Sequence, residues 1–88
     1  MASPLHVLID TREQRPWKFS PDVTVEVVTL PTGDYSLAGH SDRVAIERKS
    51  LADAVQSFTR ERERFEDECR RLRDYELKAI VIEATIDD

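Results

Sequence analysis

Two acids and a lysine, Asp34, Glu47 and Lys49, are the residues of this chain whose types and spacing could do hydrolytic chemistry. Two carboxylates brought into one small space repel unless a cation sits between them. Hard oxygen ligands of this kind suit magnesium, which accepts one or two protein carboxylates and fills the rest of its octahedron with water and substrate oxygens. An ammonium group beside such a metal, here Lys49, could position or deprotonate an attacking water, or stabilise charge on a phosphate. A second acidic cluster stands upstream, where Asp10 and Glu13 flank Arg12.

Whether these groups meet depends on the elements that carry them. Leu5 to Ile9 is a short apolar run ending at Asp10, the pattern of a buried strand. Gln14 to Asp22 holds Pro16 and Pro21 and reads as a loop or a single helical turn. Val23 to Leu30 is rich in β-branched residues and is stopped by Pro31, as a strand would be. Asp34 to Leu37 and Arg43 to Arg48 flank a connection containing Gly39, which is a hairpin signal. With His40 and Ser41 as the central loop residues, Tyr35 faces Ile46 and Leu37 faces Val44 on an apolar face. On the other face Asp34 lies opposite Glu47, with Lys49 two residues further along the same side. A slip of one residue would mix the two faces, so the apolar pairing favours this register.

Ser50 then opens a helix as a good N-cap, and Asp53 places an acid in its first turn. The periodicity predicts one long helix to about Tyr75, with Leu51, Val55, Phe58, Phe65, Cys69 and Leu72 on a single apolar stripe. Arg62 falls on that stripe between Phe58 and Phe65, while the opposite face carries solvated pairs such as Glu66–Arg70 and Asp67–Arg71. Ala79 to Ala84 reads as a last buried strand. A strand–helix–strand crossover of this length predicts an α/β fold, a mixed sheet with the helix packed on it. No repeat or linker divides the chain, so residues 1–88 are expected to form one domain.

A net charge of −5 gives no support to a nucleic-acid partner. It does not exclude one, because ten of the thirteen basic residues are arginines, the side chain suited to bidentate phosphate contacts. The clustered carboxylates would also be offset by a bound divalent metal. The single cysteine, Cys69, excludes a disulfide framework and a thiolate zinc site, and its helical spacing makes it a small core residue. The N-terminus has neither a cationic leader nor an apolar stretch of membrane-spanning length. No membrane partner is therefore expected, and the expected location is intracellular: cytoplasmic in a prokaryote or virus, nuclear in a eukaryote. On residue types alone two readings stand level. One is a metal site fed by carboxylates from two strand ends; the other is a half-buried hairpin whose charged face is merely solvated.

Taken in order, these residues resemble the hallmark of the XPF/Hef family of structure-specific endonucleases. That pattern reads here as Gly33-Asp34-Tyr35, eleven residues, Glu47-Arg48-Lys49, three residues and Asp53, preceded by Asp10, Arg12 and Glu13. The resemblance implies a restriction-endonuclease-like fold of the PD-(D/E)XK kind and metal-dependent hydrolysis of DNA at junctions between double and single strands. It implies that Asp34, Glu47 and the backbone carbonyl of Arg48 bind Mg2+, for which Mn2+ would substitute, with Asp10 a further candidate ligand. Lys49 would assist the water, and Asp10, Arg12 and Glu13 would complete the site. Asp53 matches the pattern too, although helix capping accounts for it equally well. Arg62 is a candidate contact to a DNA phosphate, or else an arginine snorkelling at the edge of the core. Family members continue past the last strand and many carry paired helix-hairpin-helix domains, so a nuclease domain minimal or truncated at its C-terminal end is expected. They also pair as homodimers or heterodimers. A second reading follows from the same resemblance: a non-catalytic DNA-binding or dimerisation subunit on this fold.

Overall fold

The computed structural model describes residues 5–83. Its elements run β1 (His6–Asp10), β2 (Thr24–Val28), β3 (Tyr35–Leu37), β4 (Val44–Ser50), α1 (Leu51–Thr59), α2 (Arg62–Arg73) and β5 (Leu77–Glu83). The strands form one mixed sheet in the order β2-β1-β3-β4-β5. β1 and β2 are parallel, as are β4 and β5, whereas β3 is antiparallel to both of its neighbours. The α/β class and the mixed central sheet are as expected. Ala84, the end of the predicted last strand, lies outside the described residues.

Pairing explains why the first strand is an unbroken apolar run. β1 has a neighbour on each side, and Val7, Leu8, Ile9 and Asp10 are all buried. Such a strand has no solvent face on which to alternate polar residues. Across the sheet Ile9 pairs with Tyr35, and Tyr35 with Ile46. Because successive side chains point to opposite faces, this register sorts the whole sheet. Val7, Ile9, Tyr35, Leu37 and Ile46 share one face, covered by Trp17, Phe19 and Val23 from the loop before β2 and its edge. Asp10, Asp34, Glu47 and Lys49 fall on the other face, where the helices lie.

The hairpin differs from expectation in its turn. Tyr35 does pair with Ile46, but the predicted Leu37–Val44 pair and two-residue turn do not form. Instead the carbonyl of His40 accepts the amides of both Arg43 and Val44, each at 2.9 Å, and His40 N donates to Leu37 O. Gly39, at φ +80°, supplies the left-handed residue that this wider loop needs.

The single long helix is also corrected. Glu61, with φ −114° and ψ 33°, leaves the helical region and separates α1 from α2. Its amide reaches back to Gln56 O at 3.0 Å, a five-residue step that inserts one extra residue into the turn. The hydroxyls of Ser57 and Thr59 bond the carbonyls four residues earlier, Asp53 and Val55, a habit that bends helices. The break divides the predicted stripe. Ala54 and Ser57 are the buried residues of α1, whereas Leu51, Val55 and Phe58 lie exposed. In α2 Leu72 is buried, and Phe65 and Cys69 are half-buried. No helix among the described residues is long and apolar enough to cross a membrane.

Candidate active site

The site begins where β1 runs out. Asp10 is only 2% exposed, and its carboxylate accepts four hydrogen bonds: Oδ2 from Arg12 N and Nε, Oδ1 from Arg12 Nη2 and Leu30 N. Burial alone would raise its pKa, but these bonds and the guanidinium charge outweigh it and hold the carboxyl below its ordinary range. The same Nη2 donates to Leu30 O. Asp10 therefore acts in this geometry as the bracket that orients Arg12, whose charge reaches Asp34 and Glu47. Glu13 follows on the turn, 3.5 Å from Arg48 Nη1.

Asp34 is placed by the residue before it. Gly33 has φ +84°, and a Cβ there would stand 3.2 Å from both Ile46 N and Ile46 O. Only glycine lets the chain lie this close to β4 in this conformation. The Asp34 amide then donates to Ile46 O at 2.8 Å, and its Oδ2 accepts from Arg48 N at 2.8 Å. This brings it beside Glu47, with which it shares a hydrogen bond.

The electrostatics of that pair are unfavourable as they stand. Burial, then the charges of Asp34 and Glu68, push Glu47 up to about 8, while the Lys49 ammonium only partly opposes them. Asp34 is also raised, by burial and the charges of Glu13 and Asp10, against the bond from Arg48 N. Two carboxyl groups so placed hold a proton between them where a cation could stand. Around them lies an open cleft of about 340 Å³, whose walls include Arg12, Glu13, Arg48 and Asp53. A second hollow of about 270 Å³ shares Arg12, Asp34 and Glu47 and adds Asp10 and Glu68. Asp53 donates its amide to Ser50 Oγ at 3.1 Å, so the predicted cap is present and the acid still borders the cleft.

Among the described residues no group of three or more His, Cys, Asp or Glu side chains is arranged to hold an ion. The fit is instead to a cation bound by two carboxylates, Asp34 and Glu47, with water and substrate oxygens completing its shell. The carbonyl of Arg48 belongs to the residue between Glu47 and Lys49 on β4.

A family model described as the ERCC4 domain matches residues 9–87. The chain belongs to the ERCC4-domain family. The solved structure of XPF from Aeropyrum pernix is similar, with a TM-score of 0.68 and 31% identity over 91% of this chain. The match spans 38% of the length of that relative. A search of curated proteins gave no match.

Within this ERCC4 domain the sequence-predicted residues divide. Arg12, Glu13, Asp34, Glu47, Arg48 and Asp53 border one cleft, and Asp10 borders the adjoining hollow. Lys49 shares the face of Glu47 but turns under α2, where Nζ lies 3.5 Å from Glu68 Oε2 and 5.8 Å from the centre of the Phe65 ring. Arg62 stands apart, exposed and paired with Glu66 at 3.1 Å. The side chain of Arg48, a predicted site residue whose carbonyl was the expected metal ligand, points to the opposite face of the sheet. There it grips Glu83 at 2.5 and 3.3 Å, donates to Arg15 O and lies 5.7 Å over the Trp17 ring. Trp17 in turn stacks on Tyr35 at 4.4 Å and donates its Nε1 to Glu83.

Glu68 and Glu83 were missed. A signal for Glu68 was available: it lies between Phe65 and Leu72 at helical spacing, an acid on the inward stripe of α2. Glu83 had a weaker one, a charge interrupting an apolar strand.

Proposed function

We propose that this ERCC4 domain is the catalytic core of a magnesium-dependent DNA endonuclease that cuts at junctions between double- and single-stranded DNA. The observation that carries the reading is the Asp34–Glu47 pair, two carboxyls set side by side just before β3 and midway along β4, with Lys49 on the same face. Asp34, Glu47 and the Arg48 carbonyl would hold the metal, with Mn2+ able to replace Mg2+. When bound, that ion supplies a more acidic water and offsets the charge of the phosphate under attack.

The remaining roles fall to the chain's own side chains. Arg12, bracketed by Asp10 and largely exposed, would offer a non-bridging phosphate oxygen its Nη1, which lies outside the bonds to Asp10 and Leu30. Lys49 stabilises negative charge on the phosphate or orients the attacking water. Glu13 borders the same cleft as a further acceptor. Arg62, exposed on α2, is a candidate contact to a phosphate further along the duplex.

A second copy or a related subunit is proposed as a partner, on the observation that Leu51, Val55 and Phe58 expose an apolar face along α1. Sedimentation that shows only monomer at high concentration would remove that part of the reading.

The deciding experiment is cleavage of labelled duplex, single-stranded, flap and fork DNA with Mg2+, Mn2+ or EDTA, comparing the wild type with Asp34→Ala. Metal-dependent cutting that is lost in the variant is the expected result. Binding of forked DNA without cutting under any metal condition would favour the non-catalytic subunit instead.

A further inference from the structure

Glu68 is a carboxylate where helix packing alone would place an apolar side chain. It sits on α2 between Phe65 and Leu72 and is only 18% exposed. One oxygen, Oε2, lies 3.5 Å from Lys49 Nζ. The other, Oε1, is buried with no hydrogen-bond partner among the described residues. Leaving a buried acceptor unmatched costs roughly 1–3 kcal/mol, so stability is not what this side chain provides.

Its place in the fold suggests what it provides. Glu68 borders the hollow shared by Asp34 and Glu47, and also a narrow space of about 70 Å³ beneath α2 that holds Lys49 and Phe65. It is the residue common to both. Lys49 is 12% exposed, and its ammonium makes its polar contact with Glu68. A four-carbon stem with a mobile ammonium needs an anchor to keep its head in one place beside the acidic hollow.

We infer that Glu68 is a positioning residue, which fixes the ammonium of Lys49 beneath α2, next to the hollow of Asp34 and Glu47, by an ion pair between α2 and β4. The inference rests on the nuclease reading for its catalytic consequence, but not for the contact itself. Phe65 limits Lys49 on one side, Glu68 draws it on the other, and Glu47 lies two residues away on the same strand face.

Two measurements test it on the full chain. The first needs no activity: brief acylation of lysine amines, read by mass spectrometry on a chain whose only lysines are Lys18, Lys49 and Lys78. In the wild type Lys49 reacts more slowly than Lys18. Glu68→Gln, nearly the same shape, speeds Lys49 by about tenfold, the worth of one charge-assisted contact, and leaves Lys18 unchanged. Equal Lys49 rates in wild type and variant overturn the inference.

The second measurement is a double-mutant cycle on DNA cleavage. Glu68→Gln lowers kcat by about tenfold with KM unchanged, and Glu68→Asp recovers part of the loss. In a Lys49→Ala background Glu68→Gln has no further effect, because the residue acts through the lysine. An equal loss in that background overturns the inference. A wild type that cuts no DNA removes the nuclease reading, while the acylation result still decides whether Glu68 anchors Lys49.

Discussion

Asp34 accepts the backbone N–H of Arg48 on Oδ2 at 2.8 Å. Beyond the Tyr35–Ile46 pair, then, a side chain of one strand end takes a main-chain donor of the next. The bond closes the gap between the strands and also fixes the Asp34 carboxyl next to Glu47. Neither group can swing out to water, so burial first and neighbouring acidic charge second raise both, while Asp10, saturated with donors, is lowered.

Glu47→Gln should stabilise the metal-free domain at alkaline pH. A carboxyl whose folded pKa is raised contributes stability that is present below its unfolded value of 4.5 and lost as pH rises toward about 8. Glutamine keeps the shape and has no charge to lose. Discounted for partial exposure, the gain at pH 8.5 in EDTA is about 1 kcal/mol, or roughly 4–8 °C in Tm for a domain of this size. The gap should close by pH 4. A variant no more stable than wild type at pH 8.5 would show that Glu47 ionises there without cost.

Metal should reverse the ranking. An ion that binds only the folded state stabilises it by about 2.7 kcal/mol at a hundred times its Kd. With Mg2+ or Mn2+ the Tm of the wild type should rise, more at pH 8.5 than at pH 6, because the proton held by Asp34 and Glu47 must leave first. Glu47→Gln and Asp34→Asn should show little of this rise. Thermal shift with metal, with EDTA and at both pH values reads it directly.

How much of this was legible depended on the range of the determining contacts. The Tyr35–Ile46 register could be read because a one-residue slip would have mixed the apolar face with the one that carries Asp34 and Glu47. The turn could not, since two amides converging on His40 O leave no mark in residue type. The helix break was hidden for a similar reason: no Gly or Pro stands between Leu51 and Arg73. An amide reaching back five residues makes it instead. Once α1 and α2 part, the apolar residues of α1 turn outward, and the stripe drawn for a continuous helix fails there. Arg48 was half read, because its backbone belongs to the acidic pair and its side chain to contacts with Trp17 and Glu83, which are distant in sequence.

The two glycines should behave differently when replaced by alanine. Both have positive φ, so each substitution carries a backbone cost of roughly 1–2 kcal/mol. At Gly39 nothing lies within 4 Å of the new Cβ, and that cost is all. At Gly33 the Cβ also meets Ile46 N and O at 3.2 Å and must push Asp34 off β4. Gly33→Ala should therefore unfold at a lower temperature than Gly39→Ala and lose the metal-induced Tm rise that Gly39→Ala keeps. Equal behaviour of the two would mean that the close approach at Gly33 does not position Asp34.

Trp17 gives the last prediction its readout, because it is the only tryptophan. Its ring is held between Tyr35 and the Arg48 guanidinium, with Nε1 on Glu83 at 2.5 Å. Arg48→Lys keeps the charge but cannot make the paired contact to Glu83 or lie flat over the indole. It should red-shift the Trp17 emission and lower the Tm by several degrees, and Glu83→Gln should do the same more mildly. The hydrogen bond from Arg48 holds Glu83 below its ordinary range. Its contribution is present above the unfolded value and lost as pH falls through the folded one. The wild-type emission should accordingly shift in the acid range, and the Glu83→Gln emission should not. If both proteins shift alike in acid, the Arg48–Glu83 grip is not what shields Trp17, and the loop before β2 must be held by its contacts with Tyr35.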